Sequence, residues 1–108
     1  MEEYVQGLNN IIGEDLESVI LYGPYARGEQ NKDGEISDID IMILVKLNEK
    51  KIKKIEEKII DYTYDLDLKY DVLLSPIIES ITNYNKMVSY IHFYKNVKKE
   101  GIFLGSLI

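Results

Sequence analysis

The chain has no cysteine and a single histidine, His92, in 108 residues. Without cysteine there can be no disulfides and no thiolate metal sites, and one histidine cannot build a multi-histidine zinc centre. Any metal must then be a hard cation held by carboxylates, which points to magnesium or manganese. No apolar run approaches the roughly 18–20 residues of a membrane span. The opening Met1-Glu2-Glu3-Tyr4 is acidic where a secretory signal would be basic and then apolar, so the expected location is the cytoplasm. Basic surplus is lacking too: the net charge is −6, the wrong sign for gripping an extended nucleic acid. A small triphosphate and protein partners fit that charge better. There is no internal repeat and no linker rich in Pro, Gly or Ser.

What is present suits one soluble domain spanning residues 1–108. The chain is 45% hydrophobic and 30% charged, with enough Ile, Leu and Val for a core. Residues 2–12 place Tyr4, Val5, Leu8, Ile11 and Ile12 on one helical face, with Gly13 as the stop. Glu17 to Tyr22 reads as a buried strand, broken by Gly23-Pro24, after which Tyr25 to Gly28 can form a helical turn. Glu29 to Glu35 reads as a loop and Ser37 to Val45 as a second strand. Asn48 caps a helix running to Tyr62, with Ile52, Ile55, Ile59 and Tyr62 at helical spacing. Leu66 to Ser75 alternates and reads as a third strand. A helix from Ser75-Pro76 to about Ile81, a break at Asn83-Tyr84-Asn85, and a last helix from Val88 to Lys99 complete the pattern. The expected class is α/β or α+β, helices around a small sheet.

Chemistry concentrates in two segments. Asp38 and Asp40 are two apart on a strand, so they share a face with alpha carbons about 6–7 Å apart. That separation lets two carboxylates share metal ions, as a phosphoryl or nucleotidyl transfer site requires. Ile39, Ile41, Ile43 and Val45 take one face, and Asp38, Asp40, Met42 and Leu44 take the other. Two like charges on an apolar strand repel unless a cation lies between them. Asp-x-Asp is short, however, and also occurs at ordinary exposed strand starts. The second segment is Gly23-Pro24-Tyr25-Ala26-Arg27-Gly28. A glycine-ended strand leading into a helical turn offers backbone N–H groups to a phosphate. Arg27 lies about one turn on, and Gly28 could allow close backbone approach. An ordinary turn with a surface arginine is the plain alternative.

Together, Gly23 to Gly28 and Ser37-Asp38-Ile39-Asp40-Ile41 resemble the signature of the polymerase-β-like nucleotidyltransferases. Their minimal bacterial and archaeal branch is the most similar. Phe93 to Val97 followed by Lys99-Glu100-Gly101-Ile102 resembles the ending of that branch, so the likeness runs from about Leu21 to Leu104. It implies a small mixed sheet flanked by helices, ATP as substrate, and Mg²⁺ or Mn²⁺ on Asp38 and Asp40. It implies triphosphate binding by Gly23, Pro24, Tyr25, Arg27 and Gly28. A third catalytic and metal-binding carboxylate on a neighbouring strand is also implied, with Asp71 the candidate and Asp67 the other possibility. The family usually has serine where this chain has Pro24, which removes a hydroxyl and a backbone N–H from the phosphate-facing turn. Minimal domains of this kind resemble partners of helical HEPN proteins, as in toxin–antitoxin pairs where a tyrosine receives adenylate. The alternative is a degenerate module on the same fold that neutralises a partner by contact. A homo-oligomer is also open, because an exposed sheet edge needs cover. His92 reads as a surface or packing residue.

Overall fold

The computed structural model describes residues 1–28 and 38–105. Ser37 and the expected loop from Glu29 to Glu35 lie outside the described residues. The elements run α1 (Glu2–Ile12), a 3₁₀ turn (Gly13–Asp15), β1 (Leu16–Tyr22), α2 (Gly23–Ala26), β2 (Ile39–Val45), α3 (Glu49–Tyr70), β3 (Leu74–Ser80), α4 (Ile81–Met87), α5 (His92–Glu100) and β4 (Ile102–Gly105). Four strands form one mixed sheet in the order β3-β2-β1-β4. β1 is antiparallel to β2 and β4, and β2 is parallel to β3. This is the helix-flanked mixed sheet that the pattern and the resemblance imply.

The sheet divides its side chains as the alternation of β2 requires. Partners directly opposite in an antiparallel pair point to the same side. Leu21 pairs with Ile41 and Val19 with Ile43, on the face that α1 and α3 cover with Tyr4, Leu8, Ile52, Ile59 and Leu66. Tyr22 pairs with Asp40 and Ile20 with Met42, on the opposite face. There Met42, Leu44 and Tyr22 pack with Tyr84 of α4 and Val97 of α5. The first face is aliphatic and broad. The second is smaller and aromatic, with Tyr22, Phe93, Tyr94 and Tyr84 meeting ring edge to ring face in succession.

Four expectations need correction. Leu66 to Ser75 is not a strand, because α3 continues to Tyr70. The apparent alternation came from Leu68 and Tyr70, which are 67% and 54% exposed, whereas Ile52, Ile59, Thr63 and Leu66 keep the helical period facing the core. No glycine or proline interrupts the chain between Asn48 and Ser75, so nothing stops the helix until Asp71 takes a left-handed conformation at its end (φ 53°). The Asp67 carboxylate then accepts the Leu74 N–H at 2.8 Å, turning the chain into β3. Ser75 and Pro76 accordingly lie in β3 rather than opening a helix. An edge strand is where a sheet tolerates proline.

The expected break at residues 83–85 is the interior of α4, capped by Ser80, whose Oγ accepts the Asn83 N–H at 3.2 Å. Tyr84 is buried there against the sheet. The last helix starts at His92 rather than Val88, and β4 follows Gly101 as an edge strand the periodicity did not disclose. Among the described residues no helix is long and apolar enough to cross a membrane.

Candidate active site

The site forms where β1 ends beside the start of β2. Ile39 donates its N–H to the Leu73 carbonyl at 2.8 Å, fixing that end of β2 against the segment entering β3. Tyr22 pairs with Asp40, so Gly23 emerges directly beside the Asp40 side chain. Gly23 has φ +79°, and a Cβ there would overlap the Asp40 carboxylate. Glycine is therefore required twice, for backbone conformation and for room. Turn and carboxylate are in contact.

Asp40 is half-buried and its carboxyl is held above the ordinary carboxylate range, first by burial and second by the charge of Asp38. A partly buried carboxylate whose charge is opposed by a neighbouring one forms a natural cation site. Magnesium is commonly held by one or two carboxylates, with substrate phosphates completing its shell. Asp38 and Asp40 fit that pattern. Burial pushes the Tyr22 hydroxyl up to about 12, with the nearby Asp40 charge a further cause. Tyr22 thus remains a neutral phenol beside the acid.

Asp40, Gly23, Tyr22 and Arg27 line one side of a cleft of about 250 Å³. Arg27 closes α2, donating its N–H to the carbonyls of Gly23 and Pro24. Its guanidinium reaches across to Glu100 of α5 at 3.1 Å. Phe93, Asn96, Val97 and Glu100 form the far wall. They are spaced by three, four and seven residues, one face of a helix.

The expected residues therefore divide. Gly23, Arg27 and Asp40 line the cleft, and Asp38 lies close enough to act on Asp40. Pro24 is the second residue of α2 and donates no N–H there. Gly28 has φ +75°, and among the described residues nothing within 4 Å would oppose a side chain there. Tyr25 lies elsewhere, in a separate cleft with Ile39, Leu66, Tyr70, Val72 and Leu74.

The two candidates for a third carboxylate do not lie on a strand as expected. Asp71 caps α3, Asp67 caps the entry to β3, and neither lines the Asp40 cleft. The β3 residue opposite Asp40 is Ser75. Among the described residues, no three acidic, histidine or cysteine side chains gather to hold a metal. Sequence reasoning also missed the α5 wall. Buried Val97 docks α5 on the sheet and sets Phe93, Asn96 and Glu100 along the cleft, a placement no local sequence pattern signals.

The nucleotidyltransferase domain model matches residues 3–104. Three proteins of Methanocaldococcus jannaschii, each named "Putative protein adenylyltransferase", are similar. The first is 41% identical over 72% of this chain and 74% of its own length. The second is 33% identical over 94% and 90%, and the third 32% identical over 72% and 51%. A crystal structure of a toxin–antitoxin with AMP-PNP shares the fold, with a TM-score of 0.51 and 19% identity over 98% of this chain and 73% of that one. With the Gly23 turn and Asp40 of β2 joined at one cleft, the chain belongs to the nucleotidyltransferase domain family, of the polymerase-β-like type, and is a nucleotidyltransferase.

Proposed function

We propose that the chain transfers adenylate from ATP to a hydroxyl of a partner protein, with a tyrosine of a helical HEPN-type toxin as the acceptor and the chain as its antitoxin. The observation that carries the reading is the contact of the Asp40 carboxylate with Gly23 in a cleft shared with Arg27. It sets a cation-binding acid beside a turn and a guanidinium suited to phosphates. Adenylate as the transferred group is supported by the names of the relatives, and a protein partner by the toxin–antitoxin fold neighbour.

In the reaction the acceptor oxygen bonds to the α-phosphorus. The bond from that phosphorus to the bridging oxygen breaks, and pyrophosphate leaves with the electron pair. The acceptor's proton passes to solvent or to a carboxylate of the site. Asp38 and Asp40 would hold magnesium or manganese, which neutralises triphosphate charge and activates the attacking oxygen when bound. Arg27 exchanges Glu100 for phosphate oxygens and orients the triphosphate in line. Asp40, partly desolvated, acts at a site where fixed charges are screened less than in water.

The test is label transfer with Mg²⁺ and a HEPN-type partner, using ATP labelled at the α- or the γ-phosphate. Adenylation predicts that α-label stays on the partner, that γ-label leaves as pyrophosphate, and that Asp40→Asn abolishes both. Transfer of γ-label, or equal labelling with Asp40→Asn, contradicts the reading.

A further inference from the structure

We propose that the cleft-facing side of α5 is the nucleobase subsite, with Phe93 as the stacking surface and Asn96 as the group that selects adenine. This rests on the nucleotide-transfer reading of the cleft and assigns the part of the ligand that reading leaves unplaced.

Phe93 and Asn96 line the same cleft as Asp40 and Arg27. They are one helical turn apart on α5, with their Cβ atoms about 5–6 Å from each other. Val97 between them and Glu100 is buried in the core and fixes the rotation of the helix. The Phe93 ring is held from two sides. It meets Tyr22 at 5.5 Å and 87°, and Tyr94 at 5.5 Å and 65°. Even so, Phe93 is 42% exposed. A large aromatic side chain fixed in orientation yet open on a cleft is what base stacking uses, since every base offers a π face.

The two ends of the helix face differ in chemistry, and that sets the ligand's direction. At its far end Glu100 meets Arg27, the cationic group of the cleft. Phe93 to Glu100 spans about 10 Å along the helix axis, comparable to the reach of a nucleotide from its base to its phosphates. Base at Phe93 and phosphates at Arg27 is the orientation that this placement allows. Asn96 lies between them. Its side chain is exposed at the cleft wall. An asparagine amide presents one donor side and one acceptor side. Adenine offers the matching pair at N6 and N7, whereas guanine offers two acceptors at O6 and N7.

The experiment is a calorimetric titration, with Mg²⁺ present, of ATP, GTP, CTP, UTP and inorganic tripolyphosphate into wild type, Phe93→Leu and Asn96→Leu. The melting temperature of each free protein serves as the folding control. Wild type should prefer ATP. Phe93→Leu should weaken all four nucleotides, ATP by about tenfold, and leave tripolyphosphate unchanged. Asn96→Leu should reduce the ATP-to-GTP preference by about tenfold with stacking retained. The inference is overturned if both variants keep the wild-type ATP-to-GTP ratio, or if they weaken tripolyphosphate as much as ATP. Wild type that binds tripolyphosphate as well as any nucleotide overturns the inference and leaves the cleft reading standing. Wild type that binds none of the five overturns both.

Discussion

One sheet carries two unlike faces. Under α1 and α3 the side chains are mostly aliphatic and closed, with Leu16, Val19, Ile41, Ile43, Val45 and Ile59 fully buried. A buried polar contact there, Tyr4 to Thr63 at 2.9 Å, is satisfied within the core. Under α4 and α5 the packing is smaller and aromatic, and it stops short of the end of β2, where Asp40 opens on the cleft. The difference separates stability from chemistry. One face can be closed because the other bears the carboxylate, the guanidinium and the cleft.

The largest effect should come from Asp40. Asp40→Asn is expected to lower transfer by about 10²–10³-fold or more, as loss of a preorganised electrostatic group does, while leaving the fold intact. Its stability effect has a definite sign. The folded Asp40 carboxyl sits above its ordinary value of 3.8 through burial and Asp38. Its stabilising contribution is therefore complete below the unfolded value and is lost as pH rises through the folded one. Metal-free Asp40→Asn should then match wild type in acid and melt higher near neutrality, as paired melting curves across pH would show.

Gly23→Ala comes next. A Cβ would overlap the Asp40 carboxylate at a residue with φ +79°. Moving that carboxylate should cost about 10²-fold in kcat, and the strained backbone about 1–2 kcal/mol in denaturant unfolding. Activity loss without any loss of stability would break the stated cause.

A pair of core truncations separates the faces directly. Ile43→Ala, on the aliphatic face, should cost about 2–5 kcal/mol by denaturant titration, with KM for the nucleotide unchanged in the folded protein. Val97→Ala removes less buried surface, at most about 1.5–3 kcal/mol. It should nevertheless raise KM, because Val97 sets the rotation of the cleft wall. Equal KM effects from the two would erase the distinction between the faces.

The smallest effect belongs to Glu100→Gln. The Arg27–Glu100 pair is about two-fifths exposed on both sides, so stability should change by less than about 1 kcal/mol. Removing the Glu100 charge that competes for Arg27 should lower KM for the triphosphate by a few-fold. The gain should shrink as salt is raised, because exposed charges are screened.

The two faces also differed in how far the sequence could be read. Along and just before β2, Ile39, Ile41, Ile43 and Val45 alternate with Asp38, Asp40, Met42 and Leu44, and a period of two assigns both faces from the residues alone. Gly23 and Arg27 follow from turn chemistry. The C-terminal half was harder because two periods overlap there. Leu66, Leu68, Tyr70 and Val72 alternate like a strand, while Ile59, Thr63 and Leu66 repeat like a helix. Tertiary burial decides for the helix, and with it Asp71 moves from the sheet to a helix cap. Phe93, Asn96 and Glu100 gain meaning from the docking of α5 on the sheet through Val97, a contact between distant segments. No local pattern announces it.

The most direct test of the account is calorimetric titration of a non-hydrolysable ATP analogue into wild type and Asp38→Asn/Asp40→Asn, each with and without Mg²⁺. The account predicts binding by wild type that strengthens with Mg²⁺, and loss of that Mg²⁺ dependence in the double variant. Mg²⁺-dependent binding of equal strength in both proteins would contradict it, because the metal and the triphosphate would then meet somewhere other than the Asp38–Asp40 strand.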